Sequence, residues 1–309
     1  MVGRAARVEL LARGQGKLAS QTTITAFSAD VGKGELPVRD VAPGEYELRT
    51  VLLDANGQEV ARTSSSFVKP GPPVWSGNKL GISDKVLPPW TPLRVSRDTS
   101  SVRCWGRSYE YGELLRQVSS GGTALLSSPV RLEAVVGGKT LPVTGSCRVD
   151  SATDALCTLS GSADHGDLRA TVRHQVEFDG FTWTDLSVEA ARPVKVDELR
   201  LTWRMPRAQA TLIHADAMQW SNNYSGTLKP EGWSASFVPY FWLGNEDRGL
   251  GWTAESRQHW AVSQERPTIE VRPAGDQVVV TVRLLAEPTE IKGKLDYGFG
   301  FMATPVRPY

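Results

Sequence analysis

The chain has little that would tie it together covalently or carry it to a charged partner. Only three cysteines occur in 309 residues, so the fold does not rest on a disulfide framework. No C-x-x-C or paired-histidine spacing points to a metal. Neither sign of charge is in excess: 35 Lys and Arg stand against 34 Asp and Glu, a formal net charge of +1. No basic run departs from that balance, which argues against nucleic acid and anionic membranes as partners. Long apolar runs are missing as well, none approaching the roughly 20 residues of a membrane-spanning helix. The first residues, MVGRAARVELLARGQGKL, lack the apolar core and small-residue cleavage site of a secretory leader. As it stands the chain reads as cytoplasmic; as an internal piece of an exported protein whose start lies elsewhere it reads as extracellular or periplasmic, and the sequence leaves both open. No phosphate loop, nucleophile elbow or zinc motif is present, and no cofactor is implied. Also scarce are apolar stripes of helical period; only residues 111–118 would suit a turn or two of helix.

What is plentiful is the punctuation of strands. Between residues 5 and 68 the runs VELLA, TTITAF, GEYELRTVLLD and EVARTSSSFV alternate apolar with polar and are separated by Gly, Pro and Asn. Pro43-Gly44 turns the chain, and Asn56-Gly57 closes a hairpin. The pattern predicts an immunoglobulin-like or fibronectin-like sandwich domain over residues 1–69, short enough that a strand is missing or supplied from elsewhere. Lys69-Pro70-Gly71-Pro72-Pro73 cannot lie inside a sheet, because proline lacks the amide donor, and marks a linker.

A second, larger antiparallel β-sandwich is predicted over residues 70–309, which makes the whole chain all-β. Residues 74–93, with two tryptophans and several prolines, read as a strap laid across a sheet. Strands are expected at 102–107, 130–136, 139–143, 155–159, 168–178, 199–205, 268–271, 277–285 and 295–304, with a tight turn at Gly137-Gly138. Residues 208–233, carrying Asn222, Asn223, Tyr224, Gly226 and Gly232, read as a long surface loop.

Asp179-Gly180, between VRHQVEF and FTWTDLSVEA, is the clearest hairpin signal. A two-residue type I′ turn there would place Phe178 opposite Phe181, Val176 opposite Trp183, and His174 opposite Asp185. The last two would then hydrogen-bond across strands, as a buried polar pair or as part of a ligand site; with no nucleophile placed beside them, the structural pair is preferred. Cys147 and Cys157 flank the polar turn DSATDA and would either bridge across a hairpin or remain reduced, the reduced form being preferred, with Cys104 a buried thiol.

The densest aromatic cluster lies in residues 237–260, FVPYFWLGNEDRGLGWTAESRQHW. Tyr240, Phe241 and Trp242 lead into a Gly-Asn-Glu-Asp-Arg-Gly turn and a second strand, so a ring-rich hairpin with a polar tip is predicted. Rings beside clustered polar groups suit carbohydrate, with Trp242, Asn245, Glu246, Asp247 and Arg248 as binding residues; the competing reading is a core strand with a solvated turn. Adjacent acids on one turn cannot flank a glycosidic bond from opposite sides, so Glu246-Asp247 does not read as a catalytic pair.

The segments WSGNKLGISDKVLPPWTPL, RCWGRSYEY, FWLGNEDRGLGWTAES and YGFGFMATPVRP, in this order, resemble the N-terminal β-sandwich of family 123-like glycoside hydrolases over roughly residues 70–309. In that family a sandwich precedes a catalytic (β/α)₈ barrel whose Asp-Glu pair acts with the substrate's N-acetyl group to release β-linked N-acetylgalactosamine. Glu246-Asp247 has the reverse order and lies in the sandwich, so the resemblance carries no catalytic residue onto this chain. It implies a non-catalytic region whose partners are carbohydrate and a barrel lying outside these residues, with a free-standing carbohydrate-binding module or a small complete glycosidase or lyase as alternatives.

Overall fold

In a computed structural model, which describes residues 5–28, 31–143, 145–216 and 224–307, the chain divides into two compact units, Met1–Ile82 and Ser83–Tyr309. Strands built from short alternating runs and joined by tight turns pair as antiparallel neighbours, and the described residues form an all-β structure of several antiparallel sheets. The only helix among them is one 3₁₀ turn, Arg207–Gln209. The helical turn expected at 111–118 is not there: residues 112–114 link the strand Arg107–Tyr111 to Leu115–Ser120. Pairing those strands buries Tyr109, Tyr111, Leu115 and Val118 together, which a short exposed helix could not do.

The first unit holds a four-stranded sheet in the order Leu18–Ile24, Ala5–Ala12, Gly44–Leu53, Glu59–Lys69, with a separate two-residue ladder between Phe27–Ser28 and Val31–Gly32. Its hairpin closes at Asp54, whose carboxylate accepts from the amides of Asn56 and Gln58. Gly57, at φ 78°, takes the left-handed position that the turn requires. Buried Ala6, Leu10, Leu11, Tyr46 and Val51 make a small core. Ladder pairing ends at Lys69, before the proline-rich residues 70–73. The strap expected at 74–93 joins no strand ladder and buries none of its large apolar side chains in its first half. Val74, Trp75, Leu80 and Ile82 are exposed, since a stretch without periodicity and bounded by prolines joins no ladder. Trp90, in contrast, donates from its indole to the Val306 carbonyl at 2.9 Å and meets Phe178 edge-on at 5.7 Å.

The second unit is built on a nine-stranded sheet, in the order Ser146–Ala152, Leu156–His165, Leu168–Glu177, Phe181–Ala190, Lys294–Thr304, Gly249–Ala254, Tyr240–Gly244, Leu212–Ala215, Tyr224–Thr227. One face of this large sheet is covered by a six-stranded sheet, centred on Glu198–Pro206 and Gln277–Leu285, and by a five-stranded sheet, Arg94–Ser96 through Thr123–Ala124. The core lies between them. Trp203 of the six-stranded sheet stacks on Phe241 at 6.1 Å and meets Phe301 edge-on at 5.6 Å, and Tyr111 of the five-stranded sheet shares a 2.6 Å hydrogen bond with Thr182. The Gly137-Gly138 turn forms as expected, both residues at positive φ between paired Val136 and Lys139. Part of the loop expected at 208–233 instead supplies the last two strands of this sheet, Leu212–Ala215 and Tyr224–Thr227, because Ile213 and Ala215 alternate into the core. Asn222 and Asn223 lie outside the described residues, as does Pro308 at the chain's end.

The hairpin at Asp179-Gly180 forms one residue out of the predicted register. Val176 pairs with Thr182, His174 with Thr184, and Arg173 with Asp185. Of the two turn residues only Gly180 has positive φ, at 81°, and its amide donates to the Glu177 carbonyl at 2.9 Å. The loop is therefore the three-residue kind, in which one left-handed glycine suffices, and Phe178 leaves the ladder to pack on Trp90. A one-residue slip exchanges the faces, so His174 and Asp185 lie on opposite sides of the sheet and do not pair. Cys147 stands opposite Gly161 and Cys157 opposite Ala152, too far apart in register to bridge, and all three cysteines are free.

Candidate functional site

The predicted ring-rich hairpin is present. Tyr240–Gly244 pairs with Gly249–Ala254, Trp242 standing opposite Gly251. Its tip is clasped by Asn245, whose Oδ1 accepts from the amides of Asp247 and Arg248 at 3.0 Å and whose Nδ2 donates to the Ala208 carbonyl at 2.9 Å. Arg248 donates to the Thr123 hydroxyl and lies 3.9 Å from the Asp247 carboxylate. Glu246 and Asp247 are exposed. The structure thus brings the five predicted residues to one end of the large sheet, with Asn245 and Arg248 used to fix the turn.

Alternation along the strands assigns the side chains to the two faces. Phe241, Leu243, Leu250, Trp252, Phe299 and Phe301 point into the core. The opposite, open face carries two adjacent rows running across the strands. One row is His214, Trp242, Gly251, Met302 and Phe181; the next is Tyr240, Thr253, Gly300, Trp183 and Gln175. Trp242 and Tyr240 form one wall, Phe181 and Trp183 the other, and the two strands between them supply a floor of Gly251, Thr253, Gly300 and Met302. At the usual spacing of about 4.8 Å between neighbours, the two outer strands that carry the rings lie about 14 Å apart, and the rings lean over the two strands between them.

Glycine is required in this trough for space rather than for conformation. A Cβ on Gly298 would sit 2.7 Å from the Trp183 ring, one on Gly300 2.9 Å from the Phe181 ring, and those on Gly244 and Gly249 2.1 and 2.4 Å from the Trp242 ring. The rings therefore lie across bare backbone. Hydrogen bonds hold the indole edges, from Trp183 Nε1 to Asp185 at 3.0 Å and from Trp242 Nε1 to the Thr304 hydroxyl at 3.1 Å. All four wall rings keep surface open to solvent, and Tyr240 is 37% exposed. At the Phe181 end stands Glu177, whose carboxyl is raised above its ordinary range by burial and by the nearby charge of Asp179. Sequence reasoning did not single out Phe181, Trp183 or Met302. The signal was available in FTWTD, where the rings alternate with core threonines, and in GLG and GFG, where glycines at every second position thin one face.

Other polar groups are structural. His174 is wholly buried on the core side; its Nε2 meets the Glu113 carbonyl and its Nδ1 the Thr184 hydroxyl, both at 2.9 Å. A carbonyl only accepts, so Nε2 carries the proton and Thr184 donates to Nδ1. Burial lowers the imidazole to about 4, leaving it neutral. Glu198 is buried and accepts from Arg200, Arg266 and Arg283 at 3.2, 3.0 and 3.0 Å, a network that ties neighbouring strands and a loop. Burial also raises the thiols, Cys147 to about 12 and Cys157 to about 11, well away from the range of a nucleophile. Among the described residues no group of His, Cys, Asp and Glu is placed to hold a metal.

Residues 108–305 match the family described as glycoside hydrolase 123, third domain. The chain belongs to the glycoside hydrolase 123 family. No curated protein is similar enough in sequence to match. Among solved structures, the galactose 1-epimerase of Lactobacillus acidophilus NCFM is 7% identical, with a TM-score of 0.39, 69% of this chain and 97% of that one being covered. An Aspergillus nidulans amine oxidase is 8% identical, with a TM-score of 0.42 and coverage of 98% and 69%.

Proposed function

We propose that this chain is a non-catalytic β-sandwich region of a family 123 glycoside hydrolase that packs on a catalytic (β/α)₈ barrel and lends its hairpin tip to the rim of the substrate cleft. Family membership supports the class. The scaffold role rests on the apolar run between residues 74 and 82, where Val74, Trp75, Leu80 and Ile82 are all exposed. Large apolar side chains clustered at a surface mark an interaction site more often than chance. At the tip, the clasp around Asn245 holds Glu246 and Asp247 toward solvent, where a carboxylate pairs with sugar hydroxyls, and Trp242 stands beside them. In this reading the sandwich begins at about residue 70 and precedes the barrel, and residues 1–69 form an additional immunoglobulin-like domain.

The test is association in trans. Mixed with a separately expressed family 123 barrel, the chain should co-elute on size exclusion, and Trp75→Ser with Leu80→Ser should abolish co-elution while leaving thermal unfolding unchanged. Independent elution of the two folded proteins would refute the scaffold role. Turnover of aryl N-acetylgalactosaminides by this chain alone, lost on neutralising one of its own acids, would refute the non-catalytic reading.

A further inference from the structure

We propose that the glycine-floored trough on the open face of the large sheet is a saccharide-binding site, taking an uncharged sugar chain between the Trp242–Tyr240 wall and the Phe181–Trp183 wall. The inference rests on the chain's being a glycoside hydrolase domain, but not on its docking to a barrel or on the hairpin tip.

Four observations on this face converge on that ligand. Sugars offer flat C–H faces, and a ring presented face-on provides matching apolar area; here the rings lie flat because glycine leaves nothing beneath them to tilt them up. The two indoles are held at their edges by Asp185 and Thr304, so binding freezes few rotamers and its entropic cost is small. Hydroxyl-seeking groups stand on the same face: the Thr253 hydroxyl between the ring-bearing strands, which also donates to the Pro239 carbonyl, and the carboxylates of Asp185 and Glu177 beside the Phe181 and Trp183 rings. Of these, Glu177 opposes an acidic sugar, while Asp185 has Arg173 directly across the ladder. Rings carried on strands about 14 Å apart and leaning over the two strands between them spread over more than one pyranose ring, which suits a chain rather than a monosaccharide. A protein partner would bury the same rings, but it would leave the Glu177 carboxylate in need of a partner of its own.

The experiment uses the full chain in affinity electrophoresis through gels containing galactan, soluble chitin derivatives, hydroxyethyl cellulose or polygalacturonate, followed by titration of intrinsic tryptophan fluorescence with oligosaccharides of the retarding polymer. Retardation by a neutral polymer is expected, with at least about tenfold weaker binding for Trp183→Ala and Phe181→Ala. Trp183→Phe, which keeps a ring over Gly298, should bind nearly as well as the native chain, and Glu246→Ala and Asp247→Ala test the hairpin tip separately. Comparable circular dichroism melts ensure that folded proteins are compared, and Trp183→Phe serves as the folded reference if the alanine variant fails. Native-like binding by both trough variants, tightest binding to polygalacturonate, or no retardation by any polymer would overturn the inference. A loss confined to Glu246→Ala and Asp247→Ala would also overturn it while upholding the tip, and co-elution with a barrel is unaffected by any of these results.

Discussion

Acidification should destabilise the larger unit through one buried imidazole. His174 is held neutral between the Glu113 carbonyl and the Thr184 hydroxyl, and burial takes it from 6.5 to about 4. Above pH 6.5 the group is neutral in both folded and unfolded chains and contributes no pH dependence. Between 6.5 and about 4 the unfolded chain binds a proton that the folded one refuses, so stability falls as pH falls, and the loss is complete below the folded value. The full shift corresponds to about 3 kcal/mol, of which about 2 kcal/mol is lost by about pH 5. The measurement is urea unfolding of the native chain and of His174→Gln at about pH 7.5 and about pH 5. Glutamine can donate to the Glu113 carbonyl and accept from Thr184 without titrating, and the carboxylates common to both proteins cancel. The native chain should lose about 2 kcal/mol more than the variant. Equal losses would show that His174 is not held neutral by burial, and a larger loss for the variant would reverse the sign of the reasoning.

Two further expectations concern packing and chemistry. Gly161 faces Cys147 across a ladder, and a Cβ there would lie 2.5 Å from the Ser146 carbonyl oxygen and 2.9 Å from the Cys147 Cα; since backbone cannot step aside as a side chain can, Gly161→Ala should cost about 1–3 kcal/mol in urea unfolding, and an unchanged midpoint would contradict the packing. Burial raises all three thiols, so an aromatic disulfide reagent at about pH 8 should label them slowly in the folded chain and rapidly in denaturant. Fast labelling of the native chain, or a Cys147–Cys157 crosslink found by peptide mapping after mild oxidation, would refute the assigned register.

The all-β class was legible because alternation and turn residues agree along most of the chain, and the hairpin at residues 240–254 could be placed because its rings alternate around an unmistakable polar turn. What misled was local chemistry that serves two geometries. Asp-Gly closes both two-residue and three-residue loops; here the loop takes in Phe178, which packs on Trp90, and the displaced register then removes the His174–Asp185 pair. The strands near residues 212–227 escaped notice because four residues of alternation are too few to stand out from a loop. At the site, Trp242 was found by its aromatic neighbours, whereas Phe181 and Trp183 belong to a strand whose distance in sequence from Trp242 hides that they share one surface. Only pairing through the Lys294–Thr304 and Gly249–Ala254 strands brings the two walls together.

The missing methyl groups beneath the rings make the depth of this surface adjustable one atom at a time. At Gly251 a Cβ would rest 3.4 Å from the Tyr240 ring and 3.8 Å from that of Trp242, ordinary contacts, whereas at Gly298 and Gly300 it would collide. Alanine at the first position therefore raises the middle of the channel without disturbing its sides, at Gly298 it levers the Trp183 ring upright, and at Gly300 it also meets the Thr182 carbonyl oxygen at 2.9 Å, so the backbone itself must shift. Comparing these substitutions separates how shallow the channel can become from how flat its sides must lie.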